Sequence, residues 1–363
     1  MGSAGRKRPL RSGYTTGACA AAAAKAAVLG LLGEQELSGV EIPFPDGSRH
    51  SFALCRMSSG AQSTFATVVK DAGDDPDVTN GAEIGARVRW LEETCSAPVV
   101  FVNGPGVGVV TKPGLPVPVG QPAINPVPRQ MILAAVAEAL AGSDQKHRSL
   151  EVEIFVRDGE ILAEKTLNRR LGVIGGLSIL GTTGIVRPVS AKAWTDTIEA
   201  SMQVARAAGL DDVILATGRT SETAVQRLLE LPEEAQVMMG DYLLYSLQAA
   251  NRHGFSRIHL AAMWAKLVKA ALAVPQTHVR NGALDTRHTA ELLTRLGLEK
   301  TSADELRHAN TTREIYDRLK AQGRDDLIAA VCAQAKVQAE QWSGLPVHIY
   351  LVTSDQGVVH VTH

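Results

Sequence analysis

Apolar residues recur along this chain in two successive rhythms. From Val40 to Lys165 they come mostly in short runs punctuated by Pro, Asp and Gly. These are Val40–Phe44 and Ser51–Leu54 around Pro45-Asp46-Gly47, Thr64–Val69, Pro98–Val102, and Glu151–Val156 with Glu160–Lys165 around Asp158-Gly159. Such runs predict strands, and the two turn-flanked pairs predict hairpins. Helical spacing enters only at Ala18–Leu32, capped by Thr15 or Thr16, and at Pro128–Ala141 behind Pro126. The later rhythm alternates strand and helix: Thr197–Ala208 helical, Asp212–Thr217 a strand, Glu222–Leu231 helical, Gln236–Met239 a strand. Tyr242–Arg252 helical, Arg257–Ala261 a strand and Trp264–Ala273 helical continue it. Strand–helix alternation of that kind predicts βαβ units and a parallel sheet.

The expected fold class is therefore an α+β N-terminal domain of antiparallel strands with a few helices, followed by an α/β second domain with a mainly parallel sheet. Residues 1–12 read as a flexible arm, 13–190 as the α+β domain and 191–300 as the α/β domain. Residues 301–363 read as helices and a terminal hairpin, Val347–Val352 with Val358–Val361, whose return to the first domain the sequence leaves open.

Composition narrows the class. The chain has 363 residues, 45% hydrophobic and 21% charged, with a net charge of −1, which suits a soluble two-domain protein and not a nucleic-acid binder. Four cysteines, Cys19, Cys55, Cys95 and Cys332, stand far apart without a C-x-x-C pair, which argues against a zinc site or a disulfide framework. Arg6, Lys7, Arg8 and Arg11 ahead of the alanine run imitate a secretion signal. Lys25 interrupts the run and no cleavage site follows it, so a cytoplasmic protein without a membrane span is expected.

The densest chemistry is the stretch Gly172–Ser190, where five glycines, two serines and two threonines alternate with aliphatics and close on Arg187-Pro188. Glycines beside hydroxyls let backbone approach a ligand and aim amides at its oxygens; shaping a chain crossing is the plainer reading. Asn103-Gly-Pro-Gly-Val-Gly108 follows a strand, but Pro113, Pro116, Pro118 and Pro122 forbid the helix that a dinucleotide site needs. It is either a turn or an anion-facing loop with Lys112. Lys70–Thr79 carries Asp71, Asp74, Asp75 and Asp77, as a self-capped turn or a functional carboxylate group. Thr217-Gly218-Arg219 ends a strand and opens a helix, and Asp241 follows the next strand. That arrangement fits an adenosine-containing ligand, or helix caps alone. His278 and His288 are too far apart to form a ligand pair on one helix, and neither a P-loop, a nucleophile elbow nor H-E-x-x-H is present.

Five segments in order carry a resemblance: Gly13–Ala20, Val69–Gly81, Gly104–Gly114, Pro122–Arg129 and Gly172–Ser190. Together the chain from about residue 11 onward resembles the cobalt-precorrin-5B C1-methyltransferase family, CbiD, of cobalamin biosynthesis. The likeness is weaker at Ala262-Met-Trp-Ala-Lys266, where relatives more often carry glycines, at the positions of Ala262 and Ala265. The resemblance implies a CbiD-like two-domain fold and methyl transfer from S-adenosyl-L-methionine to ring carbon 1 of cobalt-precorrin-5B, giving cobalt-precorrin-6A in the anaerobic pathway. Cobalt would arrive inside the substrate, so no protein-bound metal is expected. Neighbouring enzymes of the pathway would be natural partners.

On that footing the cofactor is expected at Thr217, Gly218, Arg219 and Asp241, and Asp71 at the reacting centre as acceptor or base. The polycarboxylate corrinoid is expected at Thr15, Thr16, Asp74, Asp75, Gly104, Gly106, Gly108, Lys112, Asn125, Arg129, Gly175, Gly176, Ser178, Thr182, Thr183 and Arg187, with Lys192 as a further cation. The competing readings are a non-catalytic corrinoid carrier and a nucleotide-dependent small-molecule kinase.

Overall fold

The alanine run is the centre of a core. In the computed structural model, which describes residues 10–34, 36–60, 62–93, 97–188, 190–277 and 286–363, β1 (Gly13–Tyr14) leads into α1 (Thr16–Leu31). Thr15 is the N-cap; its hydroxyl accepts from the Ala18 amide at 3.2 Å. Ala18–Ala24, Ala26 and Ala27 are all 0% exposed. Alanine has the helix propensity to hold such a segment and no bulk to keep neighbours away, so a strand layer and a second helix can close on it. Cys95 and His278 lie outside the described residues.

The chain divides into two compact units, residues 1–190 and 191–363. The first continues through β2 (Gly39–Pro43), β3 (Arg49–Ala53), β4 (Arg56–Ser59), β5 (Thr64–Val69), β6 (Glu83–Trp90) and β7 (Val99–Asn103). Short β8 (Gly106–Val107) and β9 (Val109–Val110) precede α2 (Pro126–Leu140), and β10 (Leu150–Val156) precedes α3 (Gly159–Ala163). Three two-residue strands end the unit: β11 (Val173–Ile174), β12 (Gly176–Leu177) and β13 (Ile185–Val186). The main sheet has the order β4-β5-β6-β10-β7, antiparallel except where β10 runs parallel to β7. Its register sets Val152 opposite Val88 and Ile154 opposite Ala86, all facing α1 and α2 in one core.

The second unit runs α4 (Ala191–Ala207), β14 (Asp212–Ala216), α5 (Arg219–Gln226), β15 (Gln236–Met238), α6 (Leu243–Arg252), β16 (Arg257–Met263) and α7 (Trp264–Ala271). Then come α8 (Thr286–Arg295), α9 (Lys300–Leu306), α10 (Thr312–Ala321), α11 (Asp325–Ser343), β17 (Val347–Thr353) and β18 (Gly357–Thr362). The sheet order is β15-β14-β16-β17-β18, parallel until the antiparallel edge strand β18. One face packs Val213, Leu215, Leu260 and Ile349 against α4, α6, α7 and α11; the other packs Ile214, Ala261 and Tyr350 against Val225 of α5.

Two expectations are corrected, and the pairing of the terminal hairpin answers a question the sequence leaves open. Glu160–Lys165 is not the second strand of a hairpin. Asp158 takes the left-handed turn conformation (φ 56°), but Gly159 then packs on the backbone of Gly106 and the chain enters α3. The terminal hairpin stays with the second unit, because β17 pairs with β16. Residues 11 and 12 are not a free arm: the Arg11 amide donates to Asp74, and its guanidinium forks onto Asp71. A strand not anticipated from the sequence, β6, carries Ile84, Ala86 and Val88 inward against Arg87 and Arg89 outward; Gly85 and the small Ala86 dilute its alternation.

Candidate functional site

Residues 172–186 act as a spine for the first unit's glycine-rich motifs. The Gly172 carbonyl accepts from the Thr111 amide and hydroxyl, and β11 pairs with β9. Next, β12 pairs with β8, and the Ile179 backbone exchanges hydrogen bonds with Ala123 and Asn125. Thr16 bonds both backbone groups of Leu180 through its hydroxyl, the Gly17 amide donates to Leu180 O, and the Thr15 amide donates to Gly184 O. Finally β13 pairs with β1. Thr15, Thr16, Gly104, Gly106, Gly108, Asn125, Gly175, Gly176 and Ser178 are thus gathered along one connected strip. Asn168, 8% exposed and donating to the Gly176 carbonyl, belongs to it as well; as an isolated polar residue it gave no sequence signal.

Most glycines in the strip meet other backbone or side chains, not open space. A Cβ on Gly106 would sit 2.0 Å from the Val156 carbonyl oxygen, and one on Gly176 would sit 2.3 Å from that of Gly106. What faces outward is the rim: Gly175, Thr182, Thr183 and Arg187, together with Ile174 and Leu180 at 48% and 50% exposure. Two large aliphatics left open beside amides, hydroxyls and a guanidinium make a surface suited to a flat ligand with anionic edges.

The remaining cations and acids fall differently. Arg129 spends its guanidinium on the carbonyls of Ile124 and Pro122 and stacks over Phe101 at 5.1 Å, which makes it a loop anchor. Lys112 lies along Gly172, and Lys192 pairs with Asp196 in α4. In the acidic loop Asp77 holds the buried ammonium of Lys70 at 2.6 Å and caps Thr79, while Asn80 accepts from the Ala72 amide. The Asp71 carboxylate accepts from both terminal guanidinium nitrogens of Arg11 and from the Gly73 amide. Those bonds hold its carboxyl down at about 2. A carboxylate so stabilised accepts hydrogen bonds but does not take up protons near neutrality. Asp71 and Asp74 together strap the chain entering β1, and Asp75 lies half-buried in the same loop.

In the second unit the strand order reverses beside β14: β15 lies to one side and β16 to the other. Ligands of open α/β sheets bind beyond the carboxyl ends of strands at such a switch. There, Gly218 is the extended N-cap of α5 (φ 174°), with no atom within 4 Å of where a Cβ would stand. Thr217 is tied through its amide to Ala261 O and lies 3.4 Å from the Ser221 hydroxyl, while Arg219 is exposed. Asp241 is not an open carboxylate. It binds the Lys266 ammonium and accepts from the Thr277 hydroxyl at 2.8 Å. Lys269, buried and pushed down by that burial and by Lys266, donates to Thr277 O. Lys266 ends the segment Ala262-Met-Trp-Ala-Lys266, and Ala262 itself is 1% exposed in the core.

Two family models match, CbiD over residues 3–188 and the CbiD C-terminal domain over residues 276–363. The chain belongs to the CbiD family. A cobalt-precorrin-5B C(1)-methyltransferase of Desulfotalea psychrophila is 57% identical over 359 residues, 98% of each chain. Its namesake in Geobacter metallireducens is 46% identical over 97% of this chain and 99% of its own. A crystal structure of the cobalamin biosynthesis protein CbiD from Archaeoglobus fulgidus matches at 28% identity, over 71% of this chain and 78% of that one, with a TM-score of 0.40.

Among the described residues of this CbiD chain, no helix is long and apolar enough to cross a membrane, and no group of three or more His, Cys, Asp or Glu could hold a metal ion. A hollow of about 540 Å³ opens between α8 and α9, lined by His288, Glu291, Arg295, Lys300, Asp304 and Arg307. It contains none of the expected site residues, and its alternating charges pair among themselves where Arg307 meets Asp304 at 3.3 Å.

Proposed function

We propose that this chain is an S-adenosylmethionine-dependent C-methyltransferase acting on ring carbon 1 of cobalt-precorrin-5B. The single observation that carries the reading is the near full-length identity of 57% with a relative named for that reaction. Two features of the structure support its division of labour. The glycine-rich strip of the first unit offers a flat, partly apolar rim ending on Arg187, suited to a polycarboxylate macrocycle. The second unit offers the open backbone of Gly218 at a strand switch, suited to a nucleoside-bearing cosubstrate.

Bound S-adenosylmethionine supplies an electrophilic methyl: the carbon–sulfur bond breaks with its electron pair staying on sulfur, while a ring carbon of the conjugated substrate forms the new bond. The protein's task is alignment, since bringing two bound reactants into line supplies much of the rate. Thr15 and Thr16 fix the strip's position, and Arg187 meets a peripheral carboxylate. Thr217 and Gly218 present backbone to the cosubstrate, and the Asp241–Lys266 pair sits at the adjacent strand end, where one of its partners can exchange a bond with a ribose hydroxyl. Asp71 acts through Arg11 as a positioning residue for the chain entering α1.

The reaction is tested by incubating the full chain with methyl-labelled S-adenosylmethionine and the deacylated cobalt corrinoid, then locating the label. Label at ring carbon 1 supports the reading; no transfer, with corrinoid bound and no S-adenosylhomocysteine binding by calorimetry, makes the chain a carrier instead.

A further inference from the structure

The second unit's carboxyl edge carries an aromatic feature that the glycine and acid motifs do not account for. Trp194, in the first turn of α4, is 42% exposed. Its ring stacks beside Tyr242 at 6.3 Å and 28°, and lies 3.3 Å from where a Cβ on Gly240 would stand. Gly240 adopts φ +57°, and a side chain there would press into the indole. Met239 donates its amide to Ala216 O, so Gly240 and Thr217 leave neighbouring strands side by side. With strands about 4.8 Å apart, the indole stands roughly one side chain from the Thr217-Gly218 backbone.

The helix that carries Trp194 is clamped. Glu199 of α4 accepts from Tyr245 at 2.7 Å, from Arg252 at 2.9 Å and from His253 at 2.5 Å, all on α6 or its C-terminus. Three bonds to one carboxylate fix α4 on α6 and hold the indole at the strand ends with part of its surface open to water. An exposed tryptophan costs hydrophobic free energy, and one held rigid beside a backbone cradle fits a planar ring.

We propose that Trp194, backed by Tyr242, is the stacking platform for the adenine of the cosubstrate. This rests on the reading that Thr217–Arg219 holds that cosubstrate, and extends it by naming the group that recognises the base. Stacking on a π-face tolerates any planar base, so the amides and polar groups near Asp241 are left to select the ribose and the amino-acid end.

The test uses the full chain and S-adenosylhomocysteine. Trp194→Ala should weaken binding in calorimetry by about 10- to 100-fold, the range base–aromatic stacking gives, while Trp194→Phe stays within about threefold. The chain has four tryptophans. Quenching of their fluorescence on ligand addition should be present in the parent and absent in Trp194→Phe even though that variant still binds, and this readout survives if the alanine variant fails to fold. Quenching that persists in Trp194→Phe, or an alanine variant with unchanged affinity, overturns the platform. If Gly218→Val abolishes binding in that same series, the cosubstrate's location stands and only the platform falls. If the parent does not bind S-adenosylhomocysteine at all, both fall.

Discussion

Glycine does opposite work in the two units. Along the first unit's strip, Gly104, Gly106, Gly108 and Gly176 each lack the room for a Cβ, because carbonyls or side chains of neighbouring segments stand within 2.0–2.4 Å of its position. At the second unit's strand switch, Gly218 has open space on the same side. A glycine-rich sequence announces that something comes close to the backbone; whether that is another stretch of chain or a ligand depends on what the fold has already placed there. The first unit's glycines therefore shape the strip itself, and Gly218 leaves its backbone open.

The comparison breaks most decisively at Gly106. Gly106→Ala combines a positive φ with a backbone clash and should destabilise the first unit by about 3–5 kcal/mol or prevent folding, as seen by thermal melts. Gly218→Val should leave the melting temperature almost unchanged and lower affinity for S-adenosylhomocysteine by at least about tenfold. A large stability loss there, or a mild one at Gly106, would erase the distinction.

Smaller effects separate the two arginines of the first unit. Arg187→Ala should raise KM for the corrinoid about 5- to 10-fold with stability intact, the loss of one charged contact at a wet rim. Arg129→Ala should instead lower stability by about 1–2 kcal/mol, because two loop carbonyls lose their donor and Phe101 its cation. The reverse pattern would move substrate recognition to the α2 end of the strip.

The smallest effect concerns pH and the second unit. His259 lies between Asp212 and Tyr350, and burial pushes both His259 and His348 below the usual histidine value. The unfolded chain then binds the proton more readily, so the histidines' contribution to stability is intact above about pH 6.5 and declines as pH falls below it. Melts between pH 8 and 5.5 should show this decline, with a shallower slope in His259→Gln; equal slopes would remove His259 from the account.

The alternation in the second unit was readable because β14 and β16 are largely apolar runs buried on both faces, and α4, α5, α6 and α7 are each amphipathic. The strand pairing of the first unit was harder. Asp158-Gly159 does carry the left-handed turn its residues favour, yet the segment beyond it is drawn into a helix by backbone packing of Gly159 on Gly106, a contact between residues far apart in sequence. Nothing local to Ile174 and Leu180 distinguishes an aliphatic that is covered from one that is not. Asp71 was legible as a carboxylate beside a strand, but its role as the Arg11 partner depends on a residue 60 positions away.

By itself the sequence determined most of the helices and strands, though neither β6 nor α3, that Thr15 and Thr16 begin a helix, and which motifs carry glycine and charge. These follow from propensity, capping and periodicity, which act over a few residues. Tertiary structure alone decided that residues 172–186 bind the scattered motifs into one strip, that most of its glycines are filled by neighbouring backbone or side chains while Gly175 and Gly218 stay open, and that Arg129 and Asp71 are tied to other parts of the chain. Those outcomes are set by which distant groups reach within hydrogen-bonding or van der Waals distance, and only the folded chain fixes that.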